Sequence, residues 1–460
     1  MSPTRNLLPA WVLLPLMFAT GIGGFLVIRG WGETLSAPAA TFGTASAADH
    51  GMPLSGGLLF HVLLALTTVI AAGRILGHLF VYLGQAPVIG EVVAGILLGP
   101  TLLARVAPDL AGYLLPAAVA PYLSVLGQLG AILYMFQVGL ELDLDMLRSR
   151  ARPTVAVSQT GMLVPFLMGA ALALVLYPRF SNQGVSFTAF ALFMGVAMAI
   201  TAFPVLARIL TDWGLSNTPM GTVALAAAAT GDVTAWCLLA VVVGVAQSQM
   251  SAAVLVISLT LGYCALMSLL VGPLLSRVLV QGDARVGRQA VSLMFLALLV
   301  SSLLTEWIGV HAIFGAFLLG AVIPHESAVA HTMKRSLDDL VAILLLPAFF
   351  AFTGMRTQIG LVAGWENWIF CGLIIVVATV GKFGGTMIAG RMTGMSWRES
   401  SLLGALMNAR GLMELIVLNI GLDLGIISPT VFAMMVLMAL VTTISTAPML
   451  RLLGESGHKR

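Results

Sequence analysis

The chain has 460 residues, 59% of them hydrophobic and only 9% charged, with a formal net charge of +3. A soluble domain carries roughly 25% charged residues, so this chain cannot cover a water-facing surface, whereas it can fill about a dozen or more spanning helices of roughly 20 residues each. The basic residues are scattered singly, which excludes a nucleic-acid surface, and the long continuous apolar runs exclude a membrane β-barrel, whose strands alternate in units of about 10 residues.

The first apolar run lies near 8–28. Together with Arg5 and the small residues Thr44–Ala48 it resembles a signal peptide, but those small residues fall too far past the apolar stretch for a usual cleavage site. A retained helix is expected, followed by an external loop from Trp31 to Gly56 without Lys or Arg. Thirteen more runs follow, near 57–82, 87–105, 119–140, 153–177, 186–211, 219–247, 252–279, 289–305, 308–323, 338–356, 367–390, 400–420 and 430–453. Three regions result: an N-terminal helix and loop over 1–56, a transmembrane domain over 57–453 and a short tail over 454–460. When the connecting segments are assigned alternately to two sides, fifteen Lys and Arg fall on one side and four on the other, with Arg74, Lys382 and Arg410 inside spans. The positive-inside rule then places both termini in the cytoplasm.

A charge at membrane depth costs about 2.5–3.5 kcal/mol or more, so each one needs a reason. Glu91 lies about one turn inside the 87–105 span, where a place at the mouth of a pathway and a structural role are both open. Glu141, Asp143 and Asp145 close the 119–140 span as a solvated cluster. The 186–211 span contains Thr201 and Pro204; a proline frees backbone carbonyls, and at membrane depth freed carbonyls are tolerated where they line a cavity. Asp232 is the only acid of the 219–247 span, and Ala226–Ala229 and Gly231 beside it let other backbones come close. A lone buried carboxylate binds either a cation or a proton, and that competition is the minimal chemistry of a cation/proton exchanger. Lys382, in the 367–390 span, is a natural ion-pair partner for Asp232. In the 400–420 span Asn408, Arg410, Gly411 and Glu414 mark a second interruption, and Arg410 can pair with Glu414 one turn on. Two interrupted helices in corresponding halves mark the binding site of an inverted-repeat transporter. His311 reads as a packed core histidine, and Cys237, Cys264 and Cys371 as small buried hydrophobes. Walker, zinc-ligand and nucleophile–base patterns are missing, so neither an enzyme nor a cofactor is expected.

Five segments carry a family resemblance: Gln85-Ala-Pro-Val-Ile-Gly-Glu-Val-Val-Ala-Gly95, Ile200-Thr-Ala-Phe-Pro-Val-Leu-Ala-Arg-Ile-Leu210, the alanine-rich stretch ending at Asp232, Gly309-Val-His-Ala-Ile-Phe-Gly-Ala-Phe317 and Met407-Asn-Ala-Arg-Gly-Leu-Met-Glu-Leu-Ile416. In this order they resemble the monovalent cation/proton antiporter-2 family, over nearly the whole chain apart from the first helix and its loop. The resemblance implies an all-α, thirteen-helix antiporter fold with inverted repeats, two unwound crossing helices, a dimerisation domain and a moving core domain, to which this chain adds an N-terminal helix. It implies exchange of Na+ or K+ for H+ across a bacterial inner membrane by a homodimer. Asp232 takes the place of the shared cation and proton site, with Thr201 and Thr230 beside it, Lys382 as ion-pair partner, and Pro204, Asn408, Arg410, Gly411, Glu414 and Glu91 in support. Where the family usually has Asn, Asp or Gln before the acid, this chain has Gly231; the lost oxygen is expected to come from Thr230 or water, and a single carboxylate implies one cation per proton. Two other readings stay open: a transport-silent sensor or scaffold on the same fold, and a cation channel.

Overall fold

The computed structural model describes residues 10–38, 57–141, 151–215, 218–246, 250–280, 288–324 and 326–454. These residues are almost entirely helical, as they must be where no water is present to satisfy backbone polar groups. Each apolar run of the sequence coincides with a helix or with a broken helix. In chain order they are α1 (Ala10–Gly32), α2 (Leu58–Tyr82), α3 (Pro87–Leu98), α4 (Ala120–Leu140), α5 (Ala151–Phe180), α6 (Phe187–Ala199 and Phe203–Asp212), α7 (Pro219–Ala246) and α8 (250–280). There follow α9 (Arg288–Ile308), α10 (Ala312–Val322), α11 (328–356), α12 (Trp365–Met392), α13 (Trp397–Met407 and Leu412–Asp423) and α14 (Pro429–Leu452). Ten helical stretches among the described residues are long and apolar enough to cross a membrane, and the chain is a multi-pass membrane protein. Thr44–Ala48, Asp143 and Asp145 lie outside the described residues.

One boundary differs from the sequence reading. Helix α11 starts ten residues before the apolar run at 338. Its first turns are amphipathic: Val329, Ala330, Met333 and Leu337 are buried while Lys334, Arg335, Asp338 and Asp339 are exposed. Hydropathy alone misses such a segment, because its polar face cancels its apolar one.

The helices pack as two bundles. One joins α2, α3 and α4 to α9, α10 and α11; the other joins α5, α6 and α7 to α12, α13 and α14. Helix α8 touches α7 of the second bundle and α9 of the first, and α1 lies against α5 and α6. Glycines set the closest approaches of the first bundle. A Cβ on Gly139 of α4 would sit 2.3 Å from the Phe317 carbonyl oxygen of α10, and one on Gly320 would sit 2.3 Å from that of Phe136. Backbones that approach so closely gain dispersion contact, the main attraction between helices in lipid. On the exposed Lys334 face, Glu141 is tied to that lysine at 2.5 Å.

Two breaks occupy matching places. Helix α6 opens at Ile200–Ala202, before Pro204, and α13 opens at Asn408–Gly411, where Gly411 is fully extended at φ 180°. The breaks meet: the Ala202 N–H donates to the Ala409 carbonyl at 3.4 Å. The second break is also held from behind. The Thr443 hydroxyl of α14 accepts from the Arg410 N–H at 3.0 Å and donates to a carbonyl of the same residue at 2.7 Å.

Candidate functional site: a buried carboxylate where two broken helices cross

Stopping α6 at Ala199 leaves its last carbonyls without helical partners inside an apolar bundle. Two cations take them up. The Arg410 guanidinium donates to Ala197 at 2.9 Å and to Met198 at 2.7 Å, and the Lys382 ammonium donates to Ala199. Positive charge at a helix C-terminus also suits the helix dipole. Lys382 reaches this place from a π-helical turn, Val380–Gly384, which widens α12 locally; such single wide turns recur at functional sites. Arg410 is further balanced by Glu414 at 2.8 Å, and neither side chain has any exposure. Arg410 and Glu414 thus form a direct pair, as their spacing predicts.

Asp232 stands beside this arrangement, 1% exposed. Its neighbours are the Phe203 N–H, at the start of the second half of α6, and the Lys382 ammonium. The Phe203 N–H is close enough to favour the carboxylate without meeting strict hydrogen-bond geometry, Lys382 closes no bond to it, and no side chain among the described residues partners either oxygen. The direct Asp232–Lys382 contact expected from the sequence is therefore not closed in this arrangement; Lys382 bonds to Ala199 and acts on Asp232 through its charge. Asn408 is likewise fully buried with both side-chain polar atoms unpartnered. Buried polar groups are almost always hydrogen-bonded, so an unpartnered carboxylate and an unpartnered carboxamide next to opened backbone mark a place fitted for a small guest.

The remaining sequence candidates divide. Thr201 is buried in the extended stretch between the two halves of α6. The Thr230 hydroxyl donates back to the Ala226 carbonyl at 2.8 Å, within its own helix. Pro204 lies in the first turn of the second half of α6, where its missing N–H costs nothing. Glu91 faces α2, against Gly73 and near Arg74, inside the first bundle. Cys237 and Cys264 approach each other across α7 and α8 as free thiols. The clamp by Thr443 was not foreseen, since a threonine in an apolar helix carries no signal of the loop it will meet.

The sodium/hydrogen exchanger transmembrane family pattern matches residues 62–452. The chain belongs to the sodium/hydrogen exchanger family. Its first helix lies outside the match, and the family motifs read in the sequence fall within it. The chain is 39% identical over 395 residues to the Na(+)/H(+) antiporter NhaS4 of Synechocystis sp., covering 85% of this chain and 96% of that protein. Cation/H(+) antiporter 20 of Arabidopsis thaliana is 38% identical, over 83% of this chain and 47% of its own length. K(+)/H(+) antiporter 1 of Saccharomyces cerevisiae is 31% identical, over 83% of this chain and 45% of its own. The exchanger-like chain thus spans nearly all of the cyanobacterial relative and about half of the plant and yeast ones. In fold it matches the structure of the sodium proton antiporter MjNhaP1 from Methanocaldococcus jannaschii, with a TM-score of 0.65 at 16% identity over 86% of this chain and 100% of that one.

Proposed function

We propose that this exchanger-family protein is a secondary transporter, not an enzyme, that trades one Na+ or K+ for one H+ across a bacterial inner membrane. The observation that carries this reading is Asp232: a fully buried carboxylate with two unpartnered oxygens, set where two broken helices meet. A bare carboxylate at such depth is costly. It is neutralised by a proton or by a cation, and occupancy by one excludes the other. The names of the relatives, which are antiporters of sodium, potassium or unspecified cations against protons, support the same exchange. With a single acid in the site, one positive charge moves each way and the cycle is electroneutral.

The two-bundle packing supports an elevator-like cycle in which α5–α7 and α12–α14 carry the site past a scaffold of α2–α4 and α9–α11. A scaffold of that kind suits a homodimer, and the distribution of Lys and Arg supports both termini in the cytoplasm. The deciding experiment is exchange by purified protein in proteoliposomes, with Na+ and K+ offered separately at several pH values. Potential is clamped by an ionophore for an ion that is not a substrate. Cation-driven proton movement insensitive to potential is expected. Cation binding without any exchange would instead support the transport-silent sensor, the reading that Gly231 in place of a polar residue favours.

A further inference from the structure

Among the buried polar side chains that lack a partner, Ser158 faces α7 at the residue before Asp232. Ser158 of α5 has no exposure, and its hydroxyl has no hydrogen-bond partner. Hydroxyls on these helices commonly donate back to the carbonyl four residues earlier, as those of Thr230, Thr234, Thr260 and Thr442 do. Ser158 does not. A buried hydroxyl that declines both this local bond and any other is costly to keep, unless something else binds there.

Its position says what. A Cβ built on Gly231 of α7 would lie 3.6 Å from Ser158 Oγ and 3.5 Å from Met162 Sδ. Those are ordinary contact distances, so close packing does not demand a glycine. What the glycine does is leave the space between the two helices clear, beside the residue that precedes Asp232. Successive helical side chains point about 100° apart, so the Asp232 carboxylate leaves the same turn just round from that space. Ser158 Oγ and Met162 Sδ thus face α7 at Gly231, one residue before Asp232, and the Ser158 hydroxyl and the Asp232 carboxylate are both buried without a side-chain partner. Hard cations take oxygen ligands of these kinds, a hydroxyl supplying a lone pair and a carboxylate supplying charge.

We propose that Ser158 is a ligand of the transported monovalent cation, sharing it with Asp232 across the gap at Gly231. The proposal rests on the exchange reading above and adds a residue on a third helix, α5, that sets cation affinity. It also offers a source, besides Thr230 or water, of the oxygen that Gly231 lacks.

The test measures binding and transport separately. Binding of radioactive Na+ and Rb+ is followed on purified protein in detergent, and exchange in proteoliposomes, for the unmodified protein, Ser158→Ala, Ser158→Thr and Gly231→Ala. Loss of one neutral ligand corresponds to about a five- to tenfold weakening. Ser158→Ala is expected to raise the dissociation constant and the half-saturating cation concentration by that factor, with a smaller effect on maximal rate. Ser158→Thr keeps the hydroxyl and should restore most of the affinity. Gly231→Ala narrows the gap while leaving Ser158 in place and should weaken binding in the same sense, which serves if Ser158→Ala does not fold. Unchanged cation constants in Ser158→Ala or, should that variant not fold, in Gly231→Ala, overturn the proposal while the exchange reading stands. A lower rate with unchanged constants also overturns it, by showing that Ser158 only packs. An unmodified protein that neither binds nor exchanges either ion overturns the exchange reading and this one with it.

Discussion

Two residues of the site, Asp232 and Lys382, respond differently to removal. Asp232→Asn keeps shape and removes only the charge and the exchangeable proton. It is expected to abolish exchange while leaving folded protein in the membrane, measured as transport per milligram of monodisperse purified protein; undiminished exchange would remove Asp232 from the mechanism. For Lys382 the sign on stability is the informative part. Its hydrogen bond to the Ala199 carbonyl is worth about 1.5–3 kcal/mol, as one from a charged donor. Burying its ammonium, with Arg410 close by, costs several kcal/mol, only partly offset by the charges of Asp232 and Glu414. The second term is the larger. Lys382→Met is therefore expected to hold or raise the melting temperature while exchange falls at least ~tenfold. A variant that loses stability and transport together would instead make Lys382 a structural cap. Asp232 was legible in the sequence because the cost of a carboxylate in an apolar span is local. The Lys382 partner was not, because the choice between Asp232 and the end of α6 depends on where α12 widens.

Broken helices need support at the break, and the support is specific. The opened turn of α13 is held by one hydroxyl, that of Thr443, which serves both the N–H and the carbonyl of Arg410. Thr443→Val keeps volume but leaves the buried Arg410 N–H unpaired, at about 1–3 kcal/mol, and removes the one proton that the Arg410 and Ala439 carbonyls share. A lower melting temperature in detergent and correspondingly weaker exchange are expected. A Thr443→Ser variant, which keeps the hydroxyl, should recover most of the loss, and equal defects in the two would show that the methyl group is what counts. Sequence marks the breaks themselves, through Pro204 and Gly411, because backbone preference is carried by the residue. It leaves the bracing residue unmarked, because Thr443 lies 33 positions further on and is one threonine among several in α14.

The whole molecule divides into bundles that meet, away from the site, in a polar latch. Arg356 of α11 pairs with Asp423 of α13 at 2.5 Å and donates to Asn419 at 3.0 Å, and Asn419 donates to Thr353 at 2.9 Å. If the bundles slide during exchange, these contacts break in each cycle. In a chain with its three native cysteines replaced, the pair Thr353→Cys and Asn419→Cys joins the bundles at this latch. The pair Gly161→Cys and Thr386→Cys lies within one bundle, where a Cβ at 161 would be 3.9 Å from that of Thr386, near the spacing natural to a disulfide. Crosslinking the first pair is expected to stop exchange and reduction to restore it, while crosslinking the second leaves exchange running. Equal exchange with both pairs crosslinked would rule out relative movement of the bundles.

Sequence by itself determined the membrane class, the apolar runs, most of their boundaries to within a few residues (the start of α11 excepted), the two interruptions and the acid at the centre. All of these follow from properties that a residue carries with it: hydrophobicity, backbone preference and the cost of burying charge. Only the tertiary structure decided which polar groups meet. It put Arg410 on carbonyls more than 200 positions earlier in the chain, turned Lys382 to Ala199, sent Glu91 to the other bundle and brought Ser158 of α5 to the gap at Gly231. Those meetings are set by how closely and in what register apolar helices cross. Small residues such as Gly139 and Gly320 permit such crossings, but nothing in their local sequence says which helix will come.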